Sequence, residues 1–483
     1  MLILALVLLP ALGACVAYLD PARPRRVRWL VSIALAHVAL VAWAWCANPA
    51  PEMSGWLAFD ALGRLVLSLV SVVFAAVSIY VVGYQRHESP RGGRLFEVGL
   101  LAFLASASVV SLTHHFGLLW VGMEATTLAT APLIYDPRDS RSLEAVWKYL
   151  LVCSVGIALA LLGTFFLATS QLANAGAHGR PLILEDLVGS ATSLQPSWLR
   201  AAFVLLLIGF GTKMGLAPMH TWLPDAHGEA PSPVSALLSG ALLNLAFLAV
   251  LRGYQVVLAS GDAAFARSLL IGFGLLSMVV ATVFLMGQEN FKRMLAYSSI
   301  EYVGILAVGV GISGVAAWSS LVQMLAGSLV KAALFFAAGS LVIRYGTKTT
   351  REVTGAARLA PRSAGLFALG LFALTGFPPF ATFLSELTLL SGALGSGRLW
   401  LALLVLVLQV TIFAAMGSAM LGMIQGTPAS LTPAPHQQER ESGWLVGPPA
   451  VLLGLALALG LWLPAGLQRA LAQAATAIGG AAP

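Results

Sequence analysis

The sequence predicts an all-α polytopic membrane protein, and three observations predict it. Of 483 residues, 59% are hydrophobic and only 10% are charged, a balance no soluble core accounts for. The apolar residues fall into fourteen runs, each close to the roughly 20 residues that cross a hydrocarbon layer about 30 Å thick. The basic residues alternate strongly between successive connections, as the positive-inside rule requires.

The first run, 2 to 19, has no basic segment before it, and DPARPRRVR follows it. It is therefore expected to be a retained helix, not a cleaved signal peptide. Runs at 27 to 47, 59 to 84 and 94 to 112 are uninterrupted apolar segments. The fifth, 116 to 135, encloses Glu124; the sixth, 144 to 171, begins with Glu144 and Lys148, an i, i+4 pair suited to a helix surface. The seventh, 200 to 222, is interrupted at GTKMGLAP, and the eighth, 232 to 259, follows the polar tail HTWLPDAHGEAPSP. Further spans are expected at 264 to 286, 294 to 315 and 318 to 344, then at 363 to 394, interrupted by LTGFPPFATFLSE, and at 398 to 425 and 444 to 472. The polar connections at 171 to 199 and 426 to 443 are too short and too rich in Pro and Gly to fold alone.

The interrupted seventh and twelfth spans lie five spans apart, and each carries one ionisable residue, Lys213 and Glu386. Matching Gly/Pro interruptions are the sequence mark of inverted repeats with an ion path at their interface; packing kinks are the alternative. On this reading residues 1–93 hold helices 1 to 3, 94–260 and 261–425 hold two five-helix repeats, and 426–483 hold a polar loop and helix 14.

Eighteen of the 27 Lys and Arg fall on the odd-numbered connections, among them Arg26, Arg91, Arg138, Lys292, Arg293 and Arg440. Six, including Arg180 and Arg252, fall on the opposite side. The net charge of +7 thus reflects topology rather than a nucleic-acid partner, and both termini are expected on the outer side. Cys15, Cys46 and Cys153 are far apart in apolar runs. No CxxC, phosphate loop, nucleophile elbow or metal-ligand spacing occurs, so no cofactor, metal or covalent chemistry is expected in this chain.

Glu124, Lys213, Lys331 and Glu386 lie inside predicted spans. Each costs at least about 2.5–3.5 kcal/mol to insert near the bilayer centre, and so marks a functional site by default. Lys331 alone has a simple alternative, snorkelling to the interface. Burial disfavours both charges of a Glu124–Lys213 pair while proximity favours both, so the proton's position depends on their separation. Further candidates are the cluster His220, Asp225, His227 and Glu229, a gate for proton uptake or a solvated loop, and Glu301, a relay or a salt-bridge partner near Lys292 and Arg293. His114 and His115 are expected at the interface.

The stretches FGLLWVGMEATTLATAPLIY, EAVWKYLLVCSVG, GTKMGLAPMHTWLPDAHGEAPSPVSALLSG, ENFKRMLAYSSIEYVGIL, LVKAALFFAAGSL and TGFPPFATFLSE resemble the antiporter-like proton-pumping subunits of respiratory complex I, Mrp antiporters and energy-converting hydrogenases. The likeness covers about 55 to 425, and WVGMEATTLATAPLI looks most like hydrogenase-4 component F. The resemblance implies a fourteen-helix core of two inverted repeats in a bacterial-type inner membrane. It implies Glu124 and Lys213 as the driving pair, Lys331 as a lysine of the central relay, and Glu386 as its end. It also implies partner membrane-arm subunits and a soluble iron–sulfur, hydrogenase or dehydrogenase arm. Three positions depart from the pattern: Asn244 stands where relay members carry Lys or His, and Gln323 and Gly327 stand where many carry His. None of the three carries charge, so water must bridge the centre or pumping is weakened. With so little sequence after the last run, the long lateral helix of the largest complex I member is not expected. The expected role is a non-catalytic, proton-translocating subunit of an oxidoreductase complex. The alternatives are a cation/proton antiporter subunit and a non-pumping scaffold for a soluble oxidoreductase.

Overall fold

The computed structural model describes residues 1–87, 93–136, 140–172, 182–426 and 441–482. Arg91, Arg138, Arg180 and Arg440 of the charge count lie outside them, as do 173–181 and 427–440 of the two long polar connections. In chain order the helices are α1 (Leu2–Leu19), α2 (Arg23–Ala47), α3 (Ala61–His87), α4 (Arg94–Leu112), α5 (Phe116–Ile134), α6 (Ser140–Leu172), α7 (Leu184–Gly189), α8 (Pro196–Met214), α9 (Trp222–Glu229) and α10 (Ser232–Leu237). They continue as α11 (Leu243–Ala259), α12 (Ala263–Leu285), α13 (Phe291–Ile312), α14 (Val315–Tyr345), α15 (Ala356–Leu359), α16 (Pro361–Leu374), α17 (Ala381–Gly395), α18 (Leu399–Ile424), α19 (Gly443–Leu461) and α20 (Ala465–Thr476). Among the described residues, strand-like pairing is limited to isolated bridges.

Thirteen of these segments are long and apolar enough to cross a membrane, taking α10 and α11 as one. The difference from fourteen is one of continuity. The expected span at 363 to 394 is two short helices, α16 and α17, because Gly376 turns the chain at φ +67° before Pro378 and Pro379. The expected last span, 444 to 472, is also divided: Trp462 is extended ahead of Pro464, so α19 ends at Leu461 and α20 starts afresh. The seventh span, expected to 222, stops at Met214, three residues before Ala217 and its cis bond to Pro218.

The centre is held by the span Ser232–Ala259, fully buried in its most apolar stretch, with α13 and α14 buried over 94% and 83% of theirs. The outer helices α1, α2, α18 and α19 bury only 33%, leaving apolar faces for lipid or neighbouring subunits. A π-helical turn, Leu238–Leu242, joins α10 to α11 inside the most buried span, a deviation that recurs at functional sites. There Gly240 lets the backbone of α14 approach, since a Cβ would stand 3.2 Å from Ser328 O and from Ala332 Cβ.

Candidate functional site

The first break is made by a glycine cap rather than by Pro218. Gly215, at φ +86°, donates to Thr212 O while Leu216 donates to Gly211 O, the paired bonds of a Schellman ending. Trp222 Nε1 returns across the break to Thr212 O at 2.8 Å, and Ser277 Oγ accepts from Ala217 N at 2.9 Å. Backbone groups released inside the bundle are thus satisfied by protein.

Lys213 lies on the last turn of α8 and is fully buried (0% exposed). Its Nζ donates to Tyr149 Oη at 3.0 Å and sits 5.0 Å from that ring's centroid. Glu124 is half-buried on α5, within electrostatic range of Lys213 but not within the 4.0 Å of an ion pair. Tyr149 closes the gap: its hydroxyl is 2.7 Å from Thr130 Oγ1. Thr130 shares its face of α5 with Thr127, whose hydroxyl is 3.4 Å from the Glu124 carboxylate.

At the centre, Asn244 is enclosed by hydrogen bonds. Its Nδ2 donates to Gly240 O at 3.0 Å and to Ser328 Oγ at 2.7 Å, and its Oδ1 accepts from Tyr302 Oη at 2.8 Å. Tyr302 Oη is also 2.9 Å from Ser328 Oγ, which donates to Met324 O at 2.6 Å. The three side chains form a closed neutral ring that drains into backbone carbonyls, groups that do not hand protons on. Gly327 makes the ring possible: a Cβ there would stand 2.7 Å from Tyr302 Cε2 and 3.0 Å from Cδ2. The tyrosine fills the space that a side chain at 327 would need.

Beyond the ring, Lys331 (1% exposed) donates to Ser298 Oγ at 2.9 Å and lies 5.6 Å from the Tyr302 centroid. It is enclosed in the bundle, so it does not snorkel. Glu301 is within electrostatic range of Lys331 and of Glu386, and makes no ion pair with Lys292 or Arg293. Those bases have other partners: Lys292 donates to Ala230 O at 2.5 Å and Arg293 pairs with Asp225. Glu386 lies on α17 and folds back onto the second break, where a Cβ on Gly376 would stand 2.2 Å from its Oε2. Gln323 accepts a short hydrogen bond from Ser385, the residue before Glu386. Thr382 Oγ1 stitches this break, donating to Ala373 O at 2.5 Å.

The polar tail after the first break separates by role. Asp225 pairs with Lys148 at 3.0 Å as well as with Arg293, and Glu229 pairs with Lys348 at 2.8 Å. Both line a polar cavity of about 580 Å³ with Glu144 and Lys148, and the expected Glu144–Lys148 pair is present at 2.6 Å. His220 is half-buried in the break, with Nδ1 lacking a partner. His227 is fully buried behind the cavity wall, between Trp222 and Phe335.

At the opposite end, His114 lies in the connection between α4 and α5 and is buried, 2.5 Å from Glu185 Oε1 and 3.3 Å from Asp60 Oδ1. Arg252, counted with the basic residues of that side, is buried on α11 and grips Asp60 with two bonds of 2.6 and 2.7 Å. His115 stacks on Trp56 at 4.1 Å and caps α5 through Leu118 N. Likewise Arg26, counted with a connection, is buried against Glu97 at 3.3 Å. Tyr149, Tyr302, Ser298 and Ser328 escaped a reading that followed full charges. Only the two serines carried a local signal: Ser298 and Ser328 each stand three residues before a suspect position, Glu301 and Lys331.

A family model described as "NADH:quinone oxidoreductase/Mrp antiporter, TM" matches residues 113–412, the segment that carries these groups. A hydrogenase-4 component F homolog from Methylacidiphilum infernorum is 35% identical over 373 residues, 76% of this chain and 78% of that protein. NAD(P)H-quinone oxidoreductase chain 4 2 of Thermosynechococcus vestitus is 32% identical over 347 residues, 70% of this chain and 61% of that protein. A chain of the membrane-bound sulfane sulfur reductase, an archaeal respiratory membrane complex, shares the fold with a TM-score of 0.88. It is 22% identical and covers 99% of this chain and 98% of that one. With buried lysines, half-buried carboxylates and two broken helices on an all-helical multi-pass frame, the chain belongs to the NADH:quinone oxidoreductase/Mrp antiporter membrane family.

Proposed function

We propose that this chain is the proton-translocating membrane subunit of a multi-subunit oxidoreductase, of the hydrogenase-4 or NADH:quinone oxidoreductase kind. It works without a cofactor of its own, beside other membrane-arm subunits and a soluble iron–sulfur, hydrogenase or dehydrogenase arm, in a bacterial-type inner membrane with both termini outside. The observation that carries the reading is a constellation that occurs twice. Lys213 and Lys331 are each buried, each donate to one hydroxyl and lie over one tyrosine ring, and each have a carboxylate in range but out of contact.

An ammonium has three donors, and each lysine spends one on a protein side chain. Its charge is therefore held by water and by the field of Glu124 or Glu301, and a change in that field decides whether the proton stays. Electron transfer in partner subunits supplies that change along the membrane arm. Because the ring of Asn244, Tyr302 and Ser328 interrupts the side-chain path, each lysine is loaded and emptied separately. A cation/proton antiporter subunit would use the same groups, and a non-pumping scaffold would use neither lysine.

Reconstituted vesicles test the proposal. Lys213→Ala and Glu124→Ala should each abolish redox-driven acidification while electron transfer largely survives. Undiminished acidification in both variants refutes the pair, and acidification that tracks a Na⁺ gradient with no redox partner bound supports the antiporter.

A further inference from the structure

Away from the proton path, two adjoining cavities make one groove between α2, α3 and α19. Its deeper part, about 610 Å³, is walled by apolar side chains that include Val38 on α2, Val72 on α3 and Val451 on α19. The shallower part, about 820 Å³, opens where α2 begins and α3 ends, and its wall carries Arg23, Arg28 and Arg86 but no acidic residue. Trp444 lines both, and its position is fixed by Gly83, where a Cβ would lie 2.7 Å from Trp444 Cβ.

The dimensions match one leaflet. Arg28 to Val38 is ten residues of helix, about 15 Å at 1.5 Å per residue, and half of a roughly 30 Å hydrocarbon layer is the same length. The arginines therefore lie at headgroup level when the apolar floor reaches the midplane, with the Trp444 indole at the boundary as interfacial tryptophans are.

The three guanidinium groups are also left without an ion-pair partner, although Glu97 lies within electrostatic range of Arg23. On the same turns of α2, Arg25 pairs with Asp20 at 3.0 Å and Arg26 with Glu97 at 3.3 Å. Among the described residues, Arg23, Arg28 and Arg86 form no ion pair within 4.0 Å, and Arg23 Nη2 is buried without a hydrogen-bond partner. Basic pockets between membrane helices bind anionic headgroups, and guanidinium is the side chain best suited to phosphate oxygens. A helix from another protein would need acidic residues at the arginine level to satisfy the same end. A phospholipid carries the phosphate and the hydrocarbon in one molecule.

We propose that this groove is a binding site for one anionic diacyl phospholipid of the leaflet on the arginine side. Arg23, Arg28 and Arg86 hold its phosphate, and an acyl chain lies in the slot below Trp444.

The experiment is native mass spectrometry of the full chain, purified in mild detergent, washed free of lipid and titrated with phosphatidylglycerol or phosphatidylethanolamine of identical chains. Phosphatidylglycerol should bind as a single retained adduct, and Arg23→Gln, Arg28→Gln and Arg86→Gln should each weaken it roughly fivefold. Gly447→Leu fills the slot from a position with nothing within 4 Å of its Cβ, so it should remove the adduct while the melting temperature in lipid-free detergent is unchanged. Equal binding of the two lipids, with no response to the arginine variants, overturns the proposal. So does recovery in native membranes of a polypeptide, rather than lipid, cross-linked to Ala75→Cys in the groove.

Discussion

Gly327→Ala probes the centre of the molecule, because the added methyl has nowhere to go. It would stand 2.7 Å from Tyr302 Cε2 and 3.0 Å from Cδ2, so the ring must move. The ring is pinned by its hydroxyl, bonded to Asn244 and Ser328 at 2.8 and 2.9 Å, and by Lys331 over its face. Overpacking of this kind costs about 1–3 kcal/mol. Each side-chain bond lost inside a membrane bundle adds about 0.6 kcal/mol, at most about 1.7. Alanine's better helix propensity returns roughly 1 kcal/mol. A net loss of about 2 kcal/mol is expected, read as a lower thermal midpoint of the purified chain in detergent. Tyr302→Leu in the same background removes the clash, so the double variant should fall short of the sum of the singles by about 1–3 kcal/mol. A Gly327→Ala midpoint equal to that of the parent, or strictly additive variants, would refute the fitted relation between Gly327 and Tyr302.

Tyr149→Phe removes the hydroxyl that accepts from Lys213 and leaves the ring, so redox-driven acidification should slow several-fold in vesicles while electron transfer persists; an unchanged rate would leave Tyr149 out of the path. Tyr302→Phe should keep most acidification, because its hydroxyl ends in backbone carbonyls rather than in a route, and a collapse as deep as that of Lys331→Ala would show the ring to be conducting. For pH, burial and Arg252 push the His114 imidazolium down, but hydrogen bonds to Asp60 and Glu185 outweigh them, so it is raised from its ordinary 6.5. Burial pushes Glu185 up, yet the bond from His114 leaves it lowered from 4.5. The cluster's stabilisation is therefore complete between about 4.5 and 6.5, the unfolded values of Glu and His. It is lost upward as pH rises through the folded value of His114, and downward as pH falls through that of Glu185. Thermal midpoints measured from pH 5 to 9 should decline toward the alkaline end, and His114→Gln should flatten that decline. Gly376→Ala meets both a φ of +67° and the Glu386 carboxylate at 2.2 Å, so it should destabilise the chain by about 1–3 kcal/mol in the same melt.

Some of this was legible from sequence for a definite reason. Lys213, Lys331, Glu124 and Glu386 are conspicuous because a full charge in an apolar run is costly whatever surrounds it. The second break was legible through Gly376 and its prolines. The first was legible as GTKMGLAP, within which the glycine of KMGL is the local signal for the helix end. The cluster of Asp60, His114, Glu185 and Arg252 comes from four separate segments, two inside expected spans and two in connections, which periodicity treats one at a time. Nothing along the chain says that four such residues meet. Gly327 is the hardest case, since a lone glycine in a helix reads as a missing histidine until the ring that occupies its space, 25 residues earlier, is seen.

The separation between each lysine and its carboxylate is the feature that makes the paired constellations usable. A buried Lys–Glu pair in contact at about 4 Å gains Coulomb energy that only a large perturbation can undo, and a proton held that way would not move on command. With no counter-charge at all, the buried ammonium would shed its proton and stay empty. Lys213 and Lys331 lie between those limits, each tied to one neutral hydroxyl, with Glu124 or Glu301 in range but beyond 4.0 Å. A small shift of α5 or α13 then changes the lysine's occupancy, and no bond need break first. Shortening the gap is therefore as damaging as removing the charge: a variant that brings the carboxylate to Lys213, such as Tyr149→Ala, should lose proton movement while its folded state persists. Faster acidification in Tyr149→Ala would show that contact, not separation, is the working state.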